Sequence, residues 1–424
     1  MRFTTTPYSE IFKINAYWFG LSFLWNGLHQ LILPAVLLNY VKDQDKNTAL
    51  GLLTFLGLFI AAIIQPIFGT ISDHWRSKWG RRRPLILLGT LGDYVFIAVL
   101  AWSGGLVWVA IGYIGLQLTS NIAQGSAQGL LPDRVSRPQL GVASGIKNLM
   151  DMTGLIAAMV ILGRVFKPDT NNLLQVMVLT ALALTIGGLV TLLGVREQPS
   201  SELTSQEHFS DNLVRENPTS SKEQVSAYTW LLASRFIFLF GVYGVQGFVQ
   251  YFIRDVIKAS NPISLTANLL SVIILALMAF AVLGGWLGDR IEHQRILYIA
   301  SFLGMVGSLL LIGARTPMSL LIYGSIFGSG LGLFLTSNWA LANLIAPSDQ
   351  AGKYLGLSNL ATAGAGAIAR LNGPLVDILN RGHPTTYPGY TFLFIVGAIS
   401  IFISALLVRQ IRSQTFTRNT VKVS

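Results

Sequence analysis

The chain of 424 residues contains no cysteine and few charged side chains. The lack of cysteine excludes disulfide bonds, thiolate chemistry and every metal site that needs a thiolate ligand. Charged residues make up 12% of the chain, whereas about a quarter of the residues in soluble domains are charged. Apolar residues make up 52%. A soluble core cannot bury so much apolar surface, so we expect lipid to cover part of it.

Acidic residues are scarcer than basic ones, and the net charge is +11. A basic protein can bind nucleic acid, but here Lys and Arg gather in short loops between apolar runs, where they orient membrane spans. We therefore expect no nucleic-acid partner. The sequence also has no phosphate-binding Gly-x-x-x-x-Gly-Lys-Ser/Thr loop, no zinc-ligand spacing and no hydrolase constellation. We expect neither an ATP-driven pump nor an enzyme, and no metal or catalytic residue.

Twelve apolar segments are each long enough to cross a bilayer, which needs about 20 residues. The predicted spans are 14–38, 48–71, 85–103, 106–128, 140–163, 173–195, 228–252, 265–288, 296–314, 317–344, 354–377 and 388–408. The sequence thus predicts an all-α polytopic membrane protein with 12 transmembrane helices in two pseudo-symmetric six-helix bundles.

The longest loop divides the chain into halves of similar length. Residues 1–195 form the predicted N-terminal bundle, and residues 228–424 form the C-terminal bundle with a tail. Residues 196–227 are rich in Ser, Glu, Gln and Asn, which is typical of a solvated linker. Lys and Arg are concentrated in the loops on the same side of the membrane as this linker. We therefore expect a multi-pass protein of the cell membrane with both termini in the cytoplasm.

One motif occurs after the second span of each half, with Gly followed four residues later by Asp and then by arginines. Its members are Gly69, Asp73, Gly80, Arg81, Arg82 and Arg83 in the first half, and Gly285, Asp289 and Arg290 in the second. A motif at matching positions of two halves indicates a duplicated transporter repeat. We interpret it as a gating latch that holds helix bundles in one state. The alternative is that the arginines only fix the topology.

This paired motif resembles the loop signature of the major facilitator superfamily. Within that superfamily, the stretch from Gln65-Pro66 to Arg83-Pro84 resembles the branch of sucrose transporters and glycoside–pentoside–hexuronide cation symporters. Asn121 to Gly125 and Leu131-Pro-Asp133 in the fourth span are similar to sucrose transporters. The resemblance implies a transporter fold in which the first and fourth helices of each half line a central cavity.

The chain departs from this branch at the groups that bind the coupling ion. The two Asp positions of the sodium-coupled symporters fall at Gln65 and Ala61, so we expect no sodium site. The Asp tied to proton coupling in plant sucrose transporters falls at Gln117. Coupling by H⁺ would therefore depend on other carboxylates, and we expect no other cofactor.

Polar residues occur in each of the four spans that the resemblance places around the cavity, on one face of the fourth span and in a weaker stripe on the seventh. The predicted substrate-binding residues are Trp25, Asn26, His29, Gln30, Gln117, Asn121, Gln124, Tyr243, Gln246, Gln250, Asn338 and Trp339. Amides offer both donors and acceptors, which suits hydroxyl-rich solutes, and aromatic rings can stack on a sugar. The alternative is that the amides only bond between helices and the rings only pack.

Five charged residues lie inside predicted spans, where a charge is costly and often functional. They are Asp93, Lys147, Asp151, Arg235 and Arg370. Lys147 and Asp151 are four residues apart on one helix face and can pair. Either Asp93 or Asp151 is a candidate proton relay, and the alternative for both is a static, charge-paired brace.

The expected function is secondary active transport of a small polar solute, a sugar or glycoside, by alternating access with possible proton coupling. Two alternatives remain open. One is a carrier of the same fold for a drug, an organic anion or a peptide, and the other is a non-transporting assembly factor or receptor. The expected partners are the solute and the lipid bilayer, and we expect a monomer.

Overall fold

The computed structural model describes residues 5–167, 172–195, 197, 222–346 and 351–411. Within these ranges all regular secondary structure is helical. The α-helices are α1 (Tyr8–Gly27), α2 (Leu33–Leu37), α3 (Lys46–His74), α4 (Arg83–Ala101), α5 (Leu106–Arg134), α6 (Leu140–Val165), α7 (Leu173–Gly194), α8 (Lys222–Phe252), α9 (Pro262–Ile291), α10 (His293–Ile312), α11 (Pro317–Ile345), α12 (Ala351–Ala369), α13 (Asn372–Asn380) and α14 (Pro388–Val408).

The apolar runs form helices because lipid offers no hydrogen-bond partner, so the backbone must bond within its own segment. Eleven helices of the described part of the chain are long and apolar enough to cross a membrane. Large apolar side chains such as Phe59 of α3, Ile186 of α7 and Val282 of α9 are exposed along them. These faces meet lipid, which confirms the prediction of an all-α, multi-pass membrane protein.

The first helix begins at Tyr8, before the predicted position 14. Pro7 occupies the N-cap position, and the first turns of the helix, before its apolar run, include the exposed side chains of Tyr8 and Phe12. Charged Glu10 and Lys13 interrupt the hydrophobic pattern there. A prediction from hydropathy alone therefore places the start too late.

The predicted span 354–377 is two shorter helices, α12 and α13, with a break at Arg370 and Leu371. Pro374 lacks the N–H that would bond to the carbonyl of Arg370, so a helix cannot run through this point unchanged. The Gly373 N–H bonds to the Arg370 carbonyl instead, at 3.2 Å. The amide of Asn372 donates to the carbonyl of Ala369 at 3.1 Å and satisfies the end of α12.

Contacts divide the chain into two compact units. The first comprises Met1–Val41 and Leu56–Arg215, and the second comprises Lys42–Phe55 and Glu216–Ser424. In the first unit α1 packs against α6 and α7, and α4 packs against α5 and α7. In the second unit α8 packs against α12 and α14, and α10 packs against α11 and α14. Helices at equivalent positions therefore pack in the same order in both units.

The first long helix of each half continues into a π-helix. Leu28–Ile32 follows α1, and Ile253–Ile257 follows α8. Such widened turns are rare and occur frequently at functional sites. The first carries His29 and Gln30, so it places two of the predicted substrate-binding residues on irregular helix.

The segment Lys42–Phe55 contributes the beginning of α3 to the second unit. Lys46 Nζ lies 2.6 Å from Asp255 Oδ2, and both side chains are buried. Asn47 Nδ2 donates to Asp377 Oδ1 at 2.8 Å. These acids of the second unit therefore have partners on the same unit.

Candidate functional site: polar clusters of the two units

A hydrogen-bonded cluster joins α1 and α5 inside the first unit. The hydroxyl of Tyr113 lies 2.8 Å from His29 Nε2 and accepts a hydrogen bond from Gln117 Nε2 at 2.8 Å. Asn121 Nδ2 donates to the backbone and side-chain oxygens of Gln117, at 2.7 and 3.2 Å. The structure thus brings together three of the predicted substrate-binding residues, through a tyrosine that the sequence analysis did not include. We call these four residues the Tyr113 cluster.

The side chain of Trp25 packs beside this cluster. Its ring lies 5.2 Å from the ring of His29 and meets the ring of Tyr113 edge-on at 6.4 Å. The indole N–H donates to Ser120 Oγ at 3.2 Å. The side chain of Trp25 is half-buried, so part of its ring face stays accessible.

The other predicted amides of the first unit are Asn26, Gln30 and Gln124. Asn26 Nδ2 donates to the carbonyl and hydroxyl of Ser22 on its own helix, at 2.9 and 3.1 Å. Gln30 is buried and Gln124 is half-buried. No hydrogen bond in the described part of the chain connects Gln124 to the cluster.

Asp93 of α4 is fully buried at the contact with α5. The hydroxyl of Thr119 donates to Asp93 Oδ1 at 2.6 Å, whereas Oδ2 has no hydrogen-bond partner among the described residues. No Lys or Arg of the described chain forms an ion pair with it. Asp93 is therefore an acid without a paired cation.

Lys147 and Asp151 form the predicted ion pair on α6, with Nζ and Oδ2 2.8 Å apart. The ammonium group also lies 3.8 Å from the centre of the Trp18 ring. The backbone carbonyl of Asp151 accepts a hydrogen bond from Ser22. This pair braces α6 against α1, and a role in coupling stays a prediction.

The guanidinium of Arg235 is the centre of the polar cluster of the second unit. Its Nε donates to Thr362 Oγ1 on α12 and its Nη1 donates to Asn338 Oδ1 on α11, both at 2.9 Å. The ring of Trp339 lies 5.6 Å from the guanidinium carbon. We call these four residues the Arg235 cluster.

The remaining predicted residues of the second unit lie further along α8 and near the break after α12. Tyr243 and Gln246 are half-buried, and Gln250 is buried. Arg370 is buried, and its guanidinium occupies the space beside Gly247 that a side chain would fill. No hydrogen bond among the described residues joins this group to Arg235.

The first copy of the repeated motif forms a dense ion-pair network at one end of the first unit. Arg82 pairs with Asp73 and with Asp133, where Nε and Oδ2 are 2.9 Å apart. Arg81 makes a two-pronged contact with the same Asp133, at 2.6 and 3.1 Å. Arg82 also donates to the carbonyl of Gly69. These bonds tie α3, α4 and α5 together, and we call this set the Arg82 cluster.

One glycine of this motif is required by geometry. Gly80 has a φ of +95°, which disfavours other residues, and a side chain there would collide with Glu197. Gly69 faces Gly125 of α5, and a side chain at Gly125 would strike the carbonyl of Gln65. The close approach of α3 and α5 therefore depends on the lack of a side chain at Gly125.

Glu197 closes the network from the chain segment after α7. Its carboxylate accepts the backbone N–H of Arg82 at 3.0 Å and that of Arg83 at 3.4 Å. Burial raises the pKa of the Glu197 carboxyl above its ordinary value, although these backbone donors oppose the shift. The side chain of Arg83 donates to the carbonyl of Leu192 on α7.

The second copy of the motif has a different set of contacts. Gly285 faces Thr336 of α11, and the guanidinium of Arg290 stacks 4.0 Å from the ring centre of Trp286 on its own helix. The side chain of Asp289 lies outside the described part of the chain. The role of both copies as a gating latch stays a prediction.

Four residues of these clusters were missing from the sites predicted by sequence, namely Tyr113, Asp133, Glu197 and Thr362. Tyr113 lies one turn before Gln117 on the same helix face, so extending the amide stripe by four residues would have found it. Asp133 ends α5, and Glu197 follows α7. Both are acids at the predicted membrane face that holds the three arginines, which is the signal that could have indicated them.

Comparison with known proteins relates most of this chain to transporters. Residues 19–369 match the sequence profile of the Major Facilitator Superfamily. The chain is 22% identical over 374 residues to the multi-drug resistance efflux pump PmrA of Streptococcus pneumoniae, which covers 85% of this chain and 88% of that protein.

Similarity to sucrose transporters is limited to one part of the chain. The sucrose transport protein SUT1 of Oryza sativa subsp. japonica is 29% identical over 151 residues, which cover 30% of this chain and 27% of that protein.

The fold matches that of a solved transporter over almost its whole length. A bacterial homolog to human lysosomal transporter Spinster, in an inward-facing and occupied conformation, superposes with a TM-score of 0.72 at 14% identity. The superposition covers 97% of this chain and 98% of that one. The family profile, the helical membrane fold and the duplicated motif agree, and the chain belongs to the Major Facilitator Superfamily of membrane transporters.

Proposed function

We propose that this chain is a secondary carrier of a hydroxyl-rich solute, a sugar or glycoside, and that it works by alternating access. The Tyr113 cluster is the observation that carries the proposal. It combines a hydroxyl, two amides and an imidazole next to the half-buried ring of Trp25. Such groups can both donate to and accept from hydroxyls, while an aromatic face contacts the C–H face of a sugar.

The partial similarity to a sucrose transport protein supports this substrate class. Efflux of drugs is the second candidate, because the similarity to a multi-drug efflux pump extends over most of the chain. A drug site would depend on apolar contacts rather than on the amides. Amide substitutions thus separate the two candidates.

We further propose that Asp93 carries the coupling proton. An ionised carboxylate is costly to bury without a paired cation, and Asp93 has only the Thr119 hydroxyl on one oxygen. Asp151 differs because Lys147 supplies a counter-charge at 2.8 Å. The first acid is thus suited to exchange a proton, and the second to act as a brace.

The proposed topology places both termini in the cytoplasm of a cell-membrane protein. The concentration of Lys and Arg near the Arg82 cluster and near residues 289–295 supports it. In this arrangement residues 1–195 and 228–424 form the two transporting bundles, joined by a linker over residues 196–227.

Proton coupling is tested with proteoliposomes that contain the full chain, with Asp93→Asn and Asp151→Asn compared side by side. We expect Asp93→Asn to abolish uphill uptake driven by a pH gradient while solute exchange continues, because exchange needs no net proton movement. Asp151→Asn should keep uphill uptake. If Asp93→Asn accumulates solute as well as the parent, Asp93 does not carry the proton.

The substrate class is tested by thermal unfolding of the purified protein with mono- and disaccharides, because a ligand stabilises the state that it binds. We expect at least one sugar to raise the Tm of the parent. Gln117→Leu should weaken that effect. Stabilisation by apolar drugs but by no sugar would favour the second candidate.

A further inference from the structure

Arg235 is a cation held inside the second unit without a carboxylate partner. Only 7% of its surface is exposed. Its hydrogen bonds go to the side chains of Thr362 and Asn338, which are both neutral. A buried charge is normally paired, because the loss of water around it is otherwise not offset. In the part of the chain that the structure describes, nothing neutralises this guanidinium.

The acids of the second unit have other partners. Asp255 pairs with Lys46, and Asp377 accepts from Asn47. Glu292 lies next to Arg295, with their closest atoms 3.5 Å apart. None of these described carboxylates bonds to Arg235, so the described residues supply no counter-charge to it.

The guanidinium of Arg235 is held in one orientation. Thr362 fixes its Nε edge, Asn338 fixes its Nη1 edge, and the ring of Trp339 lies against its charged group. These three contacts come from α12 and α11, so the position does not depend on the flexibility of the arginine itself. A fixed planar donor is the geometry that arginine uses to bind a carboxylate through two oxygens.

Hydrogen-bond donors exceed acceptors around Arg235. The amide nitrogen of Asn338 is fully buried and has no acceptor among the described residues. Its oxygen already accepts from Arg235 Nη1, and Arg235 Nη2 donates to no described acceptor. A buried donor without an acceptor, such as the Asn338 amide nitrogen, is unfavourable unless a ligand supplies the acceptor. A group with several acceptor oxygens and one negative charge would satisfy these donors.

We propose that Arg235 and Asn338 bind a carboxylate group of the transported solute. One cation and one amide match the single charge and two oxygens of a carboxylate better than the double charge of a phosphate monoester. This inference rests on the proposed transport function and adds an acidic group to the hydroxyl-rich solute. The solute is then a hydroxylated carboxylic acid.

The test uses two pairs of compounds that differ only in their acidic group, with the purified full-length chain. Gluconate and glucitol are both hydroxyl-rich, and benzoate and benzyl alcohol are both apolar. Dissociation constants come from the concentration dependence of Tm. We expect gluconate to bind about tenfold or more tightly than glucitol, because charge-assisted hydrogen bonds are strong.

Three variants connect that difference to the site. Arg235→Gln should remove the advantage of gluconate over glucitol. Asn338→Asp supplies an internal carboxylate to Arg235, so we expect it to remove the same advantage while the protein keeps or gains thermal stability. Arg295→Gln removes an exposed arginine elsewhere on the unit and should change neither constant.

The outcomes separate this inference from the proposed function. Equal binding of gluconate and glucitol would overturn the carboxylate site and leave a neutral polyol carrier standing. An Arg235-dependent preference for benzoate, without any binding of gluconate, would support the carboxylate site and overturn the hydroxyl-rich substrate. Binding of none of the four compounds would overturn both, and a preference for gluconate that survives Arg235→Gln would overturn the site.

Discussion

In the first unit the hydroxyl, amide and imidazole groups of the Tyr113 cluster bond to one another, whereas the polar side chains of the Arg235 cluster in the second unit surround a guanidinium. The helices occupy equivalent positions, since α1 and α8 begin their halves and pack with equivalent neighbours. Duplication has therefore kept the packing of the backbone and changed the chemistry of the side chains.

The unpaired charges of the two units also have opposite sign. Among the described residues, Asp93 of the first unit has no paired cation and Arg235 of the second has no paired carboxylate. A static scaffold would gain by pairing its buried charges, because an unpaired one is costly. Two such buried groups in separate units indicate that each binds a mobile partner during transport. We propose that this partner is a proton for Asp93 and the solute for Arg235.

The repeated motif shows the same contrast at one end of each unit. In the first unit Arg82 is buried and pairs with two carboxylates, whereas Arg290 in the second unit is exposed and stacks on Trp286. The similar spacing of Gly, Asp and Arg in the sequence thus produces an ion-pair network in the first unit, and among the described side chains of the second copy it produces a surface contact of Arg290.

The largest expected effect distinguishes these two arginines. Arg82→Ala removes a buried guanidinium that bonds to Asp73, Asp133 and the Gly69 carbonyl, which should lower the free energy of unfolding by about 2–3 kcal/mol even though Arg81 still pairs with Asp133. Arg290→Ala should change it by less than about 0.5 kcal/mol, as is usual for an exposed position. Thermal unfolding of both variants in detergent measures the difference. Equal changes in Tm would mean that the two copies of the motif are equivalent after all.

An intermediate effect is expected at Tyr113, compared with Tyr243 of α8. Tyr113→Phe removes the hydroxyl that contacts both His29 and Gln117, so the free energy of unfolding should fall by about 1–2 kcal/mol. Tyr243→Phe is the matched control, because no described hydrogen bond uses its hydroxyl. Thermal unfolding gives the stability of each variant. A larger loss for Tyr243→Phe would show that Tyr113 does not organise its cluster.

The smallest effect is a pH dependence at Glu197. Its pKa is raised by burial, so the folded state favours the protonated form more than the unfolded chain does. This contribution to stability is complete below the unfolded pKa of about 4.3 and is lost as the pH rises through the folded value. The Tm of the parent, relative to Glu197→Gln, should therefore be higher near pH 4 than at pH 8. A pH-independent difference would contradict the raised pKa.

Much of the fold could be predicted from the sequence because hydropathy and helix length are local properties. The start of α6 at Leu140, the start of α11 at Pro317 and the bounds Pro388–Val408 of α14 agree with the predicted spans. The break between α12 and α13 was missed, although Pro374 marks it, because proline is tolerated in many membrane helices. The start of α1 was missed because the charged residues Glu10 and Lys13 interrupt the apolar pattern there.

Less of the site could be predicted, because a stripe on one helix does not show what it meets. The stripe of α5 predicted Gln117 and Asn121, and the structure adds the bond of Gln117 to Tyr113 and the contact of Tyr113 with His29. The charge of Arg235 was evident in the sequence. Its lack of a carboxylate was not, because pairing depends on residues of α11 and α12 that lie about a hundred positions away in the chain.

The sequence by itself determined that this protein is helical, lies in a membrane and has a duplicated plan, since each of these follows from the composition and spacing along one chain. Only the tertiary structure decided which charges are paired. Lys147 finds Asp151 on its own helix, whereas the partners of Arg82 come from other segments and Arg235 meets only neutral groups. The hydrophobicity of a segment depends only on its own residues, so it can be read from the sequence. An ion pair needs two groups within about 4 Å of each other, and the packing of the helices sets that distance.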